Sequence, residues 1–114
     1  MPNQETTLND VFHALADSTR RAVIQRLGEG PASVKDLAEP FDMALPSFMQ
    51  HLRVLEDGGL IRSKKEGRIR TCEIRTKELS KVELWFADQR ALWDERLDRL
   101  DAYLTDVQNG GDRS

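Results

Sequence analysis

Apolar residues recur along this chain in helical steps for most of its length. Leu8, Val11, Phe12 and Leu15 share one face of a helix expected over Thr7–Ala16. Asp17, Ser18 and Thr19 offer cap residues, and Ala22, Val23, Ile24 and Leu27 carry a second helix from Arg20 to Leu27. Gly28-Glu29-Gly30-Pro31 ends it. Ser33 is suited to cap a short third helix from Val34 to Phe41, with Asp36 one turn in, where the helix dipole favours an acid. Asp42-Met43-Ala44 reads as a turn. A fourth helix from Leu45 to Asp57 has Pro46 in its first turn, where a missing N–H costs nothing. Inside it Phe48, Leu52 and Leu55 fall at spacings of 4 and 3 and face inward.

The period then changes. Leu60–Lys65 and Arg68–Arg75 are strand candidates around a Glu66-Gly67 turn, with Ile61, Ile69 and Ile74 as the alternating apolar set. Helical spacing returns over Glu78–Gln108, which holds no Gly or Pro. Its apolar positions Trp93, Leu97, Leu100, Leu104 and Val107 step by 4, 3, 4 and 3, and Leu79, Val82, Trp85, Phe86 and Leu92 lengthen the stripe. Such a helix is about 45 Å long, more than a domain of this size covers alone. The expected fold is therefore mainly α: a winged helix-turn-helix, with a two-stranded β wing and a long C-terminal dimerisation helix. One domain spans residues 1–114, with a core over 7–76, the dimerisation helix over 78–108, and disordered tails at 1–6 and 109–114.

Charge sharpens this picture. The chain of 114 residues is 32% charged with a formal net charge of −3. Residues 45–75 reverse that sign, with seven Lys and Arg against four Asp and Glu. Attraction to phosphate acts locally and is screened within about 10 Å, so a basic patch on an acidic protein points to nucleic acid. No segment is apolar enough to span a membrane, and MPNQETTLND lacks the pattern of a signal peptide. A single cysteine, Cys72, leaves no internal disulfide and suits a reducing cytoplasm.

The chemistry expected is DNA reading. A helix in the major groove needs polar side chains on its leading face, and Ser47, Gln50 and His51 stand near the start of the fourth helix. Leu45 and Pro46 are candidates for thymine methyl groups. Arg62, Lys64, Lys65, Arg68 and Arg70 on the hairpin would meet the backbone or the minor groove. Ser33 and Arg53 complete the candidate DNA contacts. Leu8, Val11 and Phe12, with Trp85, Phe86, Trp93, Leu97, Leu100 and Leu104, are the candidate dimer interface. His13 reads as a core-edge residue and Cys72 as a half-buried apolar one. No nucleophile–base pair, phosphate-binding glycine loop or metal cluster is present, so no enzyme, metal or cofactor is expected. The alternative reading is a protein-interaction module that reuses the winged helix, although that role has little need of five basic residues around one turn.

ALADSTRRAVIQRL (14–27), SVKDLA (33–38) and QHLRVLEDGGLIRSKKEGRIRTCEI (50–74) together resemble the ArsR-type winged helix-turn-helix repressors. The resemblance implies a homodimeric transcriptional regulator that binds operator DNA, most often as a repressor of its own operon. Metal-sensing members of that family carry cysteines on the helix before the recognition helix, or Asp and His pairs on the last helix. Here the first phrase is SVKDLAEPF, and the last helix has no His. The resemblance is therefore to the metal-independent members, whose release from DNA depends on a small-molecule or protein effector of unspecified class, or on none. The family also favours Ser where this chain has Ala44 and Met49.

Overall fold

The structure is a computed structural model that describes residues 7–112. It divides into two compact units, one running to Val82 and the other starting at Glu83. The expected tails at 1–6 and 113–114 lie outside the described residues.

The first unit opens with α1 (Leu8–Leu15) and α2 (Ser18–Leu27). Thr7 and Asp10 cap α1 reciprocally: the Thr7 hydroxyl accepts from the Asp10 N–H at 3.2 Å, and the Thr7 N–H donates to the Asp10 carboxylate at 3.1 Å. Asp17 caps α2 by accepting from the Arg20 N–H at 3.1 Å. A two-residue strand, β1 (Ala32–Ser33), follows, and Ser33 at its end also caps α3 (Val34–Ala38). The third helix was expected to reach Phe41. It stops at Ala38 because Pro40 has no N–H to donate, and the chain turns with a Phe41 N–H to Ala38 carbonyl bond of 3.0 Å. The recognition-helix candidate, α4 (Leu45–Asp57), begins and ends where its pattern of residues places it. Its N-cap is Ala44, which gives no side-chain cap.

The wing is β2 (Ile61–Glu66) and β3 (Ile69–Ile74), antiparallel, with Gly67-Arg68 as its two-residue loop. Gly67 has φ +63°, a left-handed conformation that favours glycine. The sheet has three strands rather than two, in the order β1-β3-β2, with Ala32 opposite Cys72 and Ser33 opposite Thr71. Ile61 is buried, but Ile69 is 61% exposed at the wing tip, so the expected apolar alternation holds only at the base.

Phe48, Leu52 and Leu55 from α4 meet Val11, Ala14, Val23, Leu27, Leu60 and Cys72 in one core. Gly58 lets α4 end directly against α1: a Cβ there would stand 3.0 Å from the Ala14 Cβ. Phe41 stacks on Phe48 with ring centroids 5.5 Å apart, which fastens the turn before α4 to the core. The last helix, α5, is Lys77–Asp112. Its first turns belong to this unit, and Leu79 and Val82 pack on the core, beyond the boundary expected at residue 76.

The second unit is the rest of α5. Residues 109–112, expected in a tail, are helical. Glycines at 110 and 111 each cost a helix about 1 kcal/mol relative to alanine, but they do not interrupt its backbone ladder. Arg90–Asp94 and Arg99–Glu95 form ion pairs one turn apart, both at 3.8 Å. Among the described residues no helix is long and apolar enough to cross a membrane.

Candidate nucleic-acid interface

Burying Phe48, Leu52 and Leu55 decides what α4 shows to solvent. Leu45, Pro46, Ser47, Gln50 and Arg53 are exposed. Pro46, Gln50 and Arg53 lie four and three residues apart, so they share a face. Between α3, α4 and the wing lies an open groove of about 970 Å³. Lys35, Lys65, Arg68 and Arg70 edge it, while Leu45, Met49 and Ile69 make it apolar. The start of α4 therefore shares one space with Lys65, Arg68 and Arg70, whereas Arg62 and Lys64, expected beside them, line a separate hollow with Pro31 and Glu73.

The wing cations are not equivalent. Arg62 is paired with Glu73, its cross-strand neighbour in the register. Lys64 lies 3.3 Å from Glu66. Arg70 donates to the Ser63 hydroxyl at 3.0 Å, and that hydroxyl donates to Glu56 on α4, so Arg70 braces the wing against the helix. Lys65 and Arg68 are exposed and have no ion pair among the described residues. These two hold the most available charge for phosphate.

Two expected DNA contacts sit differently. The Ser33 hydroxyl accepts from the Asp36 N–H at 3.1 Å as the α3 cap. His51 is turned partly inward, with only 22% of its side chain exposed. Its Nδ1 lies 3.1 Å from the Arg20 guanidinium and 3.7 Å from the Asp17 carboxylate. That nitrogen is unavailable to DNA. Arg20 also donates through Nε to the Ala14 carbonyl at 2.8 Å and through Nη2 to the His13 carbonyl at 2.9 Å. Arg21 adds a bond of 2.8 Å to the Leu15 carbonyl. The last carbonyls of α1 are thus closed by two arginines of α2. Reading the sequence missed Arg20. The one signal for it was Asp17, an acidic cap three residues earlier. The Asp17 carboxyl is held below the usual value, chiefly by the Arg20 backbone N–H, against the opposing effect of burial, with His51, in its protonated form, and the Arg20 charge helping.

Cys72 is fully buried rather than half-buried, in the middle of β3. Burial pushes its thiol up, and nearby Glu56 adds to the shift. No three His, Cys, Asp or Glu residues are grouped to hold a metal among the described residues.

The expected dimer contacts separate into two kinds. Val11 is fully buried in the core and has no surface to offer a second chain, a correction that follows from its position against α4. Leu8 and Phe12 are half-buried against the same core. In the second unit Trp85, Phe86, Trp93, Leu97, Leu100 and Leu104 are each between 38% and 58% exposed in the single chain. Trp85 and Phe86 meet edge to face with centroids 5.1 Å apart. Tyr103 and Val107 extend this exposed apolar face.

A family described as a helix-turn-helix domain matches residues 15–64. The chain is 38% identical to the HTH-type transcriptional regulator Rv2034 of Mycobacterium tuberculosis over 55% of this chain and 59% of that protein. It therefore spans less than two thirds of that relative. It is 31% identical to the transcriptional repressor SdpR of Bacillus subtilis over 68% of this chain and 87% of that one. The crystal structure of an ArsR family transcriptional regulator is 59% identical, with a TM-score of 0.75 over 76% of this chain and 90% of the other. A homodimeric winged helix-turn-helix DNA-binding domain from Mycobacterium bovis, solved by NMR, is 26% identical with a TM-score of 0.58, over 81% and 82% of the two chains.

Proposed function

Because the chain belongs to the ArsR-type winged helix-turn-helix transcriptional regulators, we propose that it is a homodimeric repressor that binds operator DNA in the cytoplasm. The recognition helix α4 enters the major groove with Leu45, Pro46, Ser47, Gln50 and Arg53 leading. The wing lies along the backbone or minor groove and supplies charge through Lys65 and Arg68. The observation that carries this reading is the groove, edged by Lys35, Lys65, Arg68 and Arg70, into which the start of α4 and the wing tip both face. The exposed apolar face of the second unit is the surface for a second copy. Two-fold symmetry then sets two recognition helices about 34 Å apart, one turn of duplex.

Fluorescence anisotropy tests the proposal. The probe is DNA from upstream of the protein's own coding region, compared with a scrambled duplex at several salt concentrations. The expected result is a preference above about a thousandfold for the native sequence, with a steep salt dependence. Equal, weak binding to both would overturn sequence-specific reading of that site and favour a protein partner for the winged helix.

A further inference from the structure

Arg20 makes contacts that no cap requires. Two of its nitrogens close the end of α1, and the third reaches across to the recognition helix at His51. A guanidinium has only donors and stays charged. The His51 Nδ1 at 3.1 Å must therefore present a lone pair, and the ring proton belongs on Nε2. The Asp17 carboxylate would draw a proton to Nδ1, but it stands farther away at 3.7 Å and is already engaged with the Arg20 backbone N–H. Arg20 is half-buried, so these bonds are shielded from competing water.

We propose that Arg20 is a positioning residue for DNA reading: it ties α1 and α2 to the recognition helix through His51 and sets the angle at which α4 meets the groove. The proposal rests on α4 being the reading element. The Ala44 N-cap gives α4 no side-chain anchor at its start, so a fastening about two turns in governs how Ser47 and Gln50 are presented. Side-chain discrimination between bases depends on such placement, whereas attraction between the wing and phosphate does not.

The test uses the full chain and a duplex that the wild-type protein enriches from a random-sequence pool, against its scrambled counterpart. Imidazole ¹⁵N shifts of the free protein should show His51 with its proton on Nε2. Arg20→Lys offers one ammonium to three acceptors, so the tautomer preference should be lost. Discrimination should fall about tenfold while binding to the scrambled duplex stays level. His51→Asn keeps an oxygen where Nδ1 stands and should hold discrimination within about threefold, while His51→Leu should lose about tenfold. That pair decides the matter if Arg20→Lys does not fold. A proton on Nδ1 in the wild type, unchanged discrimination in Arg20→Lys, or equal losses in His51→Asn and His51→Leu would each overturn the proposal. A wild type that enriches no duplex would overturn the DNA reading instead, and the tautomer would still report on the Arg20–His51 bond.

Discussion

Gly58 and Ala14 mark the place where the recognition helix ends against the first helix, with 3.0 Å between the Ala14 Cβ and the position a Gly58 Cβ would take. The Asp10 carbonyl oxygen would stand 3.2 Å from the same point. Gly58 has an ordinary helical φ of −78°, so space and not conformation demands glycine here. Ala14 is fully buried and cannot step aside without moving α1. Gly58→Ala should lower stability by about 1–3 kcal/mol, as overpacking does, and urea unfolding measures it. A midpoint at or above the wild-type value would show that α1 yields.

The pairing on the wing separates its cations by experiment. Arg68→Ala and Lys65→Ala should each weaken DNA binding and reduce the salt slope by up to about 0.9. Arg62→Ala should do less, because Glu73 already neutralises that charge. Salt titrations of the three variants on one duplex give the ranking, and an equal loss in all three would show that the Arg62–Glu73 pair opens on DNA.

On the second unit, a charge in the apolar face should separate protomers. Leu97→Glu or Trp93→Glu should shift the protein toward monomer in light scattering at micromolar concentration and weaken DNA binding along with it. Unfolding of the first unit should be changed little by either. A wild type that is already monomeric would remove the dimer from the proposed mechanism.

Asp17 gives a pH signature. Its folded pKa is lowered, so the stability it contributes is fully present above the ordinary aspartate value of about 3.9 and is lost as pH falls through the lower folded value. Asp17→Ala should cost about 1 kcal/mol near neutral pH, the usual worth of an N-cap, and the difference from wild type should shrink below about pH 4. Thermal melts from pH 3 to 7 would show the two curves converge. Parallel curves would mean that the carboxylate contributes nothing as a charge.

Cys72 should be inert. It has no exposed surface, and burial raises its thiol pKa, so little thiolate forms near neutral pH. Ellman's reagent should react with it only after denaturant is added. Prompt reaction in native buffer would mean that the wing opens at its base, where Cys72 pairs with Ala32 and Ser63.

Elements with a long apolar period were legible in the chain. Phe48, Leu52 and Leu55 alone define the inward face of α4, and the helix runs over the residues that they imply. The extent of α3 was overread because Pro40 acts through a single missing donor, which a count of apolar spacings does not register. The strand β1 was not legible at all. Two residues, Ala32 and Ser33, carry no alternation, and their strand exists only because β3 lies beside them. The candidate interface divides the same way. Exposure of Leu45, Pro46, Ser47, Gln50 and Arg53 follows from the helical period. The inward turn of His51 depends on Arg20, which lies 31 residues away in sequence, and no local pattern announces it.

Ser33 holds two places at once, as the last residue of β1 and as the N-cap of α3. Past its partner Thr71 the hairpin continues as two strands only, through Lys65–Arg70 and Glu66–Ile69 to the loop. Mechanically the wing is a cantilever whose root is clamped to the start of the helix-turn-helix. A load applied at Arg68 bends the free tip first, and what remains of it passes at Ser33 into α3. A second route, from Arg70 through Ser63 to Glu56, carries load directly into α4.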